Sequence, residues 1–166
     1  MPKEKKKLFL DMDGTIAKFN SKRDALKRFD NEIGFFRTLK PFAHLEIINK
    51  LIEKQVVEVY IISASPNEQA DKDKRVWLKT HLKQLNENNI CFCRIGKDKA
   101  KEIKQQLNIT IDNNCYLLDD YNVNLMQWKT NNGIGIKRLT SLADNSRKLW
   151  KGLSIRSLKE LERLFN

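Results

Sequence analysis

The sequence contains few cysteines and histidines and no long apolar run. Its 166 residues include three cysteines and two histidines. An odd number of cysteines within strand-like runs predicts reduced thiols, and Cys91 and Cys93 with the distant Cys115 are poorly spaced for zinc. No apolar run approaches the roughly 18 residues that a membrane span needs, and no signal-peptide core follows the N-terminal lysines. We therefore expect a cytoplasmic protein without a membrane partner.

Length and charge set the next limits. A chain of 166 residues with 40% apolar content is the size of one compact domain, so we expect residues 1–166 to form a single domain. The net charge of +11 and the pI of about 9.6 favour phosphate-bearing ligands or nucleic acid. The lysines are scattered over nearly every segment, however, so we favour a solvated surface as the explanation of the charge.

Strand-like and helical patterns alternate along the chain. Apolar runs typical of buried strands occupy residues 8–11, 56–62, 90–95, 115–118 and 134–136. Between them, apolar residues recur at spacings of three and four, as in Leu45, Ile48 and Leu51. This order predicts an α/β domain with a mainly parallel five-stranded sheet flanked by helices. A final amphipathic helix is predicted over residues 155–165.

Four of the five predicted strands are followed by polar side chains. In parallel sheets, ligands collect beyond the carboxyl ends of the strands, so we expect these side chains to meet. In strand order they are Asp11 and Asp13, Ser63 and Ser65, Lys97 and Lys99, and Asp119 and Asp120.

Carboxylates that meet at one point repel one another unless a cation lies among them. Oxygen ligands without clustered histidine or cysteine favour Mg²⁺, which shares itself with a substrate phosphate. The phosphate would then need Lys99 or Lys97, a serine hydroxyl, and turn amides near Gly14. A carboxylate beside it can attack phosphorus, and a second acid two residues on can protonate the leaving oxygen.

The segment Asp-Met-Asp-Gly-Thr at residues 11–15 resembles the first signature, D-x-D-G-[TV], of the haloacid dehalogenase (HAD) superfamily. With the later serine, lysine and Asp-Asp elements, the resemblance spans residues 8 to about 120 and implies a Rossmann-like fold. It implies that Asp11 is the nucleophile and that Asp13 is the general acid and base. It also implies that Lys99 and Ser63 hold the phosphoryl group. An aspartate at position 13 favours phosphate hydrolysis within this superfamily.

The resemblance also implies how the metal is held. Asp11, the backbone carbonyl of Asp13 and a carboxylate of the Asp119–Asp120 pair would bind Mg²⁺, with Asp120 favoured over Asp119.

A finer resemblance is to the C-type 5'-nucleotidases, the 5'(3')-deoxyribonucleotidase group. Residues similar in order and spacing are Gly34, Phe35 and Phe36, then Leu39, Lys40 and Pro41, then Ser65 and Pro66, Lys74, Trp77 and Leu78, Asp98 and Lys99, and residues 117–120. Alignment on Pro66 makes Ser65 the phosphate-binding hydroxyl, whereas counting from the strand favours Ser63. The insert at about residues 17–41 is short, which implies a small cap over the site.

Six residues are candidates for substrate binding. The rings of Phe35 and Phe36 either belong to the core or stack on a nucleobase. The six candidates are Gly14, Thr15, Phe35, Phe36, Ser65 and Lys97.

These patterns predict a Mg²⁺-dependent phosphomonoesterase that acts on a small phosphate ester, and the finer resemblance favours a 5'-nucleotidase. One alternative is a polynucleotide 3'-phosphatase, suggested by the basic charge and the open site. An alternative of another class is a non-catalytic basic module that binds nucleic acid. Both alternatives have nucleic acid as the partner, but the retained catalytic residue types favour the small substrate.

Overall fold

A computed structural model describes residues 4–20, 23–28, 33–141 and 149–166. Its strands form one sheet in which every neighbouring pair is parallel, in the order β3-β2-β1-β4-β5-β6. The strands are β1 (Lys7–Leu10), β2 (Glu58–Ser65), β3 (Ile90–Arg94), β4 (Cys115–Asp119), β5 (Ile134–Arg138) and β6 (Leu153–Ile155). The predicted parallel α/β fold is confirmed.

Helices cover both faces of this sheet. They are α1 (Glu46–Glu53), α2 (Glu68–His81), α3 (Lys99–Leu107), α4 (Asn122–Thr130) and α5 (Glu160–Phe165). Because side chains alternate along a strand, Leu8 and Leu10 of β1 pack in the cluster with α1, α2 and α5, whereas Phe9 packs with α3 and α4. The Phe9 side contains the three cysteines, which are buried free thiols. None of the helices within the described ranges is both long and apolar enough for a bilayer crossing.

The prediction was wrong about the C-terminal segment, where a sixth strand precedes a shorter helix. Ile155, the predicted start of the helix, pairs with Arg138 at the end of β5. The carboxylate of Glu160 accepts hydrogen bonds from the backbone N–H groups of Arg156 and Ser157, both at 2.8 Å, so the chain turns there before α5 begins. Strand β6 has two exposed residues of three, which leaves no apolar run to reveal it.

Strand order reverses between β1 and β4. From β1, the chain builds one side of the sheet with β2 and β3 and the other with β4, β5 and β6. Ligands of open α/β sheets bind outside the carboxyl ends of the strands at such a reversal. The residues that follow β1 and β4 therefore lie where this fold binds ligands.

The predicted insert at residues 17–41 begins and ends at one point of the sheet edge. Ala17 pairs with Pro41 in an antiparallel bridge, and the N–H of Lys18 donates to the carbonyl of Lys40 at 2.7 Å. Residues 21–22 and 29–32 of this insert lie outside the described residues. Its role as a small cap, and the single domain over 1–166, stay predictions.

Candidate active site

Asp11 lies directly after β1, in a tight loop that turns the chain away from the sheet. Its N–H still donates to the carbonyl of Leu118 in β4, at 3.0 Å. The next residues turn around the carbonyl of Met12, which accepts from the N–H groups of three following residues. Gly14 has φ +81°, a left-handed conformation that glycine adopts readily. The end of the strand thus holds the Asp11 side chain at the reversal point.

Three carboxylates meet at this point. Asp11, Asp119 and Asp120 each offer an oxygen, and these oxygens lie within 4.8 Å of one another. Gly14 makes the approach of Asp120 possible, because a Cβ at that position would lie 2.3 Å from Asp120 Oδ2. Position 14 therefore needs glycine for its backbone conformation and for the space that its missing side chain leaves.

Lys99 binds two of the three acids. Its Nζ donates to Asp11 Oδ1 at 2.8 Å and to Asp119 Oδ2 at 2.7 Å, and the side chain is 2% exposed. Lys99 is the first residue of α3, whose start is fixed by Asp98 accepting from the N–H of Ala100 at 2.9 Å. Burial lowers the pKa of Lys99, but the charges of Asp11 and Asp119 raise it by more, so the ammonium stays charged.

The acid cluster still carries more negative than positive charge. Burial raises the pKa of Asp119 to about 6, against the opposing effect of Lys99. Asp119 is also held by the N–H of Tyr121 at 2.8 Å and by Asn124 Nδ2 at 3.0 Å. Burial, together with repulsion from Asp11 and Asp119, raises the pKa of Asp120 well above its usual range. A cation among these oxygens would relieve both effects.

The donor set fits a hard divalent cation. All three side chains offer carboxylate oxygen, and the cradle beside Gly14 holds Asp120 close to the others. Lys99 contacts two of the three carboxylates, and the charge of Lys137 acts on the third, so a divalent ion would offset the negative charge that remains. Oxygen ligands in this arrangement suit Mg²⁺ better than a metal that prefers nitrogen or sulfur.

A second network surrounds Asp13. Lys74 Nζ lies 2.7 Å from Asp13 Oδ2, 3.0 Å from Ser63 Oγ and 2.7 Å from the carbonyl of Ala64. Asp13 Oδ1 is buried and, among the described residues, has no hydrogen-bond partner. Lys74 thus holds one oxygen of the carboxylate in place and leaves the other without a partner in the described part of the chain.

Sequence reasoning missed Lys74 as a site residue, although Lys74 was part of the finer resemblance. The sequence pattern that could have identified Lys74 is its position in α2, where it lies on the same buried face as Ala70, Trp77 and Leu78. A lysine in the buried stripe of an amphipathic helix needs an acidic partner. The periodicity locates such a lysine but does not identify its partner, which is 61 positions away in the chain.

Thr15 contacts Asp11 rather than open space. Its Oγ1 donates to Asp11 Oδ2 at 2.9 Å, and the side chain is buried. With Lys99 on Oδ1, both oxygens of Asp11 have a partner and the plane of the carboxylate is fixed. Thr15 was predicted to bind substrate; its contact in the structure is with the candidate nucleophile.

A cavity of about 470 Å³ opens over the carboxylates. Of the predicted residues, Asp11, Asp13, Lys97, Asp119 and Asp120 line it, together with Phe19, Ala64, Ile95, Gly96, Tyr121, Val123, Asn124 and Gln127.

The predicted serines and phenylalanines lie outside this lining. Ser63 and Ser65 are fully buried; Ser63 accepts from Lys74, whereas Ser65 donates to the carbonyl of Asn67 at 3.3 Å. Phe36 is buried, with the Lys74 Nζ 4.6 Å from its ring centre. Phe35 lines a neighbouring cavity. Among the described residues of the insert, the aromatic side chain that lines the active-site cavity is that of Phe19, which sequence reasoning did not select.

Comparison with known proteins places the chain among phosphatases. Residues 12–145 match the model of the family described as 5' nucleotidase, deoxy (pyrimidine), cytosolic type C protein. No curated protein matches the chain in sequence.

Similar solved structures share the fold at low identity. One is the D,D-heptose 1,7-bisphosphate phosphatase from B. bronchiseptica complexed with magnesium and phosphate (TM-score 0.66, 14% identity, 96% of this chain and 97% of that chain). Another is a HAD family hydrolase from Deinococcus radiodurans with bound phosphate and sodium (TM-score 0.69, 12% identity, 96% and 94%). A third is the haloacid dehalogenase-like protein SP0104 from Streptococcus pneumoniae (TM-score 0.68, 11% identity, 98% and 99%). These likenesses confirm the HAD fold.

Proposed function

The chain belongs to the family described as 5' nucleotidase, deoxy (pyrimidine), cytosolic type C protein, and from this premise we propose a Mg²⁺-dependent 5'-nucleotidase that works through an aspartyl-phosphate. As a member of that family it is a phosphoric monoester hydrolase of the HAD superfamily. The metal, the covalent intermediate and the nucleotide substrate are the proposed parts.

One observation carries the proposal: the oxygens of Asp11, Asp119 and Asp120 converge at the strand-order reversal, with a buried ammonium between two of them. Such a cluster is costly for a fold unless it serves a ligand. Its position at the mouth of a cavity gives a phosphate ester access to it.

In the first step, a carboxylate oxygen of Asp11 attacks phosphorus in line and forms an oxygen–phosphorus bond. The bond between phosphorus and the ester oxygen breaks, and the leaving oxygen takes a proton from Asp13. We assign this transfer to Asp13 Oδ1, which has no hydrogen-bond partner among the described residues. Lys74 on Oδ2 keeps that carboxyl in position.

In the second step, water attacks phosphorus and gives its proton to Asp13. The bond between Asp11 and phosphorus breaks, which regenerates the carboxylate and releases inorganic phosphate. Asp13 is then protonated again for the next turnover.

Asp11, Asp119 and Asp120 would hold the metal, with the backbone carbonyl of Asp13 as the further ligand that the family resemblance implies. Mg²⁺ bound there would offset the repulsion between these carboxylates and the phosphoryl oxygens. Lys99 fixes Asp11 and Asp119 for that purpose. Ser63 acts through Lys74, and Lys97 is free to meet the phosphate from the cavity wall. Ser65, which contacts Asn67, is the weaker candidate of the two serines.

The nucleoside part of the bound substrate would extend along the side of the cavity that carries aromatic residues. Phe19 and Tyr121 both line it, and rings of this kind stack on nucleobases. Phe19 is 3% exposed and Tyr121 is 59% exposed, so one ring forms a fixed wall and the other can adjust.

The experiment is phosphate release from p-nitrophenyl phosphate and from deoxynucleotides, with Mg²⁺ and with EDTA. Wild-type protein with Mg²⁺ should turn over both substrates, and Asp11→Asn should lose roughly 10⁴-fold or more in kcat. Asp71→Asn, which alters a surface carboxylate paired with Arg94, is the matched control and should keep its activity. An active Asp11→Asn protein would contradict the nucleophile assignment.

A further inference from the structure

A second cavity lies in the insert, beside the active site. Its volume is about 490 Å³. We call it the basic groove, and its lining residues are Lys18, Arg23, Asp24, Lys27, Phe35, Thr38, Leu39 and Lys40.

The basic groove holds four cationic side chains against one carboxylate. Asp24 is buried and already occupied: it accepts from the side chain of Arg23 at 3.1 Å and from the N–H of Asn20 at 3.0 Å. Lys18, Lys27 and Lys40 are exposed, and within the described parts of the chain they form no salt bridge. The groove therefore presents three cations that are available to an anionic ligand.

An aromatic pair connects the basic groove to the active site. Phe19 lines the active-site cavity, and its ring centre lies 6.4 Å from that of Phe35, which lines the groove. Lys18, the residue before Phe19, lines the groove, so two consecutive residues of one segment face the two cavities. Lys27 Nζ lies 5.6 Å from the centre of the Phe35 ring. Cations and a ring thus occur side by side.

We propose that the basic groove binds the strand of a single-stranded polynucleotide whose terminal phosphate enters the active site. This inference rests on the phosphomonoesterase chemistry of the proposed function and extends its substrate class from free nucleotides to the phosphorylated ends of polynucleotides. Phosphates of the strand would meet Lys18, Lys27 and Lys40, while a base stacks on Phe35, the combination by which single strands are held. The terminal ester is cleaved by the same two steps, which yield a strand with a free hydroxyl end and inorganic phosphate.

A concave, cation-lined groove next to a phosphate-ester site suits a chain better than a flat anionic surface. A strand bound in the groove would reach the carboxylates by crossing the ring of Phe35 beside the nearly buried Phe19, whereas a bilayer would meet only the rim. The net charge of +11 would favour the approach of the polyanion over long range.

The experiment compares kcat/KM for a deoxynucleotide with kcat/KM for single-stranded oligonucleotides of increasing length, phosphorylated at the 5' end or at the 3' end. For wild-type protein at low salt, kcat/KM for the oligonucleotide should exceed that for the deoxynucleotide about tenfold or more. The ratio should keep rising as the strand is lengthened by more than one nucleotide. The triple variant Lys18→Ala, Lys27→Ala, Lys40→Ala should lose this ratio. Its apparent affinity for the strand should also depend less on salt, with a log–log slope smaller by about 2, since each phosphate contact contributes roughly 0.7.

A matched triple variant controls for net charge. Lys50→Ala, Lys54→Ala and Lys129→Ala remove three exposed lysines that line neither cavity, and this protein should keep the wild-type ratio. Equal loss in both triple variants would mean that charge alone matters, and would overturn the assignment to the groove. A wild-type ratio of one or below would also overturn it.

Binding of a labelled oligonucleotide and of vesicles with anionic lipid separates the two proposals. Loss of hydrolysis of every substrate with lysine-dependent strand binding intact would refute the proposed function and leave the groove assignment standing. Hydrolysis of mononucleotides with strand binding insensitive to the three lysines would refute the groove alone. Lysine-dependent binding of vesicles but not of the strand would overturn the inference in favour of a membrane.

Discussion

The acid cluster of Asp11, Asp119 and Asp120 lies next to the basic groove. The charged side chains of the two regions differ in burial. In the cluster, Lys99 and Lys74 are at most 2% exposed and contact carboxylates at 2.7 to 2.8 Å. In the groove, Lys18, Lys27 and Lys40 are exposed. Buried pairs fix geometry, because each partner depends on the other. Exposed cations attract anions over a distance, and salt screens this attraction. Their replacement changes the free energy of unfolding little. We therefore expect the cluster to depend on its fixed geometry and the groove to act through long-range attraction.

The largest effect on stability should follow from breaking the buried pairing of the cluster. Lys99→Met leaves Asp11 and Asp119 buried without their ammonium, and should lower the free energy of unfolding by about 3 to 5 kcal/mol. Urea denaturation without divalent metal measures this change. Lys97→Met, which alters an exposed lysine two positions away, is the control and should change stability by less than about 0.5 kcal/mol. Equal stability of the two variants would show that the Lys99 contacts are not needed.

Added Mg²⁺ should stabilise the protein through the acid cluster and not through the basic groove. Metal that binds the folded cluster should stabilise the protein by about 2.7 kcal/mol at a concentration 100-fold above its Kd, seen as a rise in Tm. Asp120→Asn should reduce this rise. Asp24→Asn, which removes the carboxylate of the basic groove, should retain it. A Tm that responds to Mg²⁺ equally in both variants would place the ion elsewhere.

A side chain at position 14 should have a smaller effect on stability. A control variant can separate this effect from backbone strain. Gly14→Ala should destabilise the protein by about 1 to 3 kcal/mol and reduce activity, because the new Cβ would displace Asp120 Oδ2. Gly96→Ala shares the positive φ, +86°, but its Cβ would meet nothing within 4 Å. The difference between the two alanine variants therefore isolates the displacement of Asp120. Identical losses of activity would mean that backbone strain alone accounts for both.

The smallest effect on stability should come from the basic groove. The triple alanine variant of Lys18, Lys27 and Lys40 removes exposed charges that form no salt bridge with any described residue, so each change should stay within about 0.5 kcal/mol in urea denaturation. A large destabilisation would show that these lysines hold the insert together, and the contrast with the cluster would fail.

Sequence could predict the parts of the site that directly follow strands. Asp11, Lys99, Asp119 and Asp120 were selected because parallel strands bring their carboxyl ends to one edge, and the structure brings these four side chains together. The sheet was predictable for the same local reason, since its central strands are continuous apolar runs. Strand β6 has too few buried residues to leave that pattern.

The remaining parts depend on contacts between distant segments. Lys74 meets Asp13 across 61 positions of the chain, and no spacing rule connects them. The choice among Phe19, Phe35 and Phe36 depends on how the insert folds over the sheet edge, which short-range periodicity does not determine. Apolar pattern predicts which side chains are buried, but not which cavity each one faces.

Chemical trapping of the phosphoenzyme tests the covalent role of Asp11 most directly. Wild-type protein mixed with substrate and Mg²⁺, quenched in acid and reduced with borohydride, should carry homoserine at position 11, located by peptide mass spectrometry. The account predicts this conversion at Asp11 alone, and only when substrate and metal are both present. Steady turnover without conversion at position 11, or conversion at another aspartate, would contradict it.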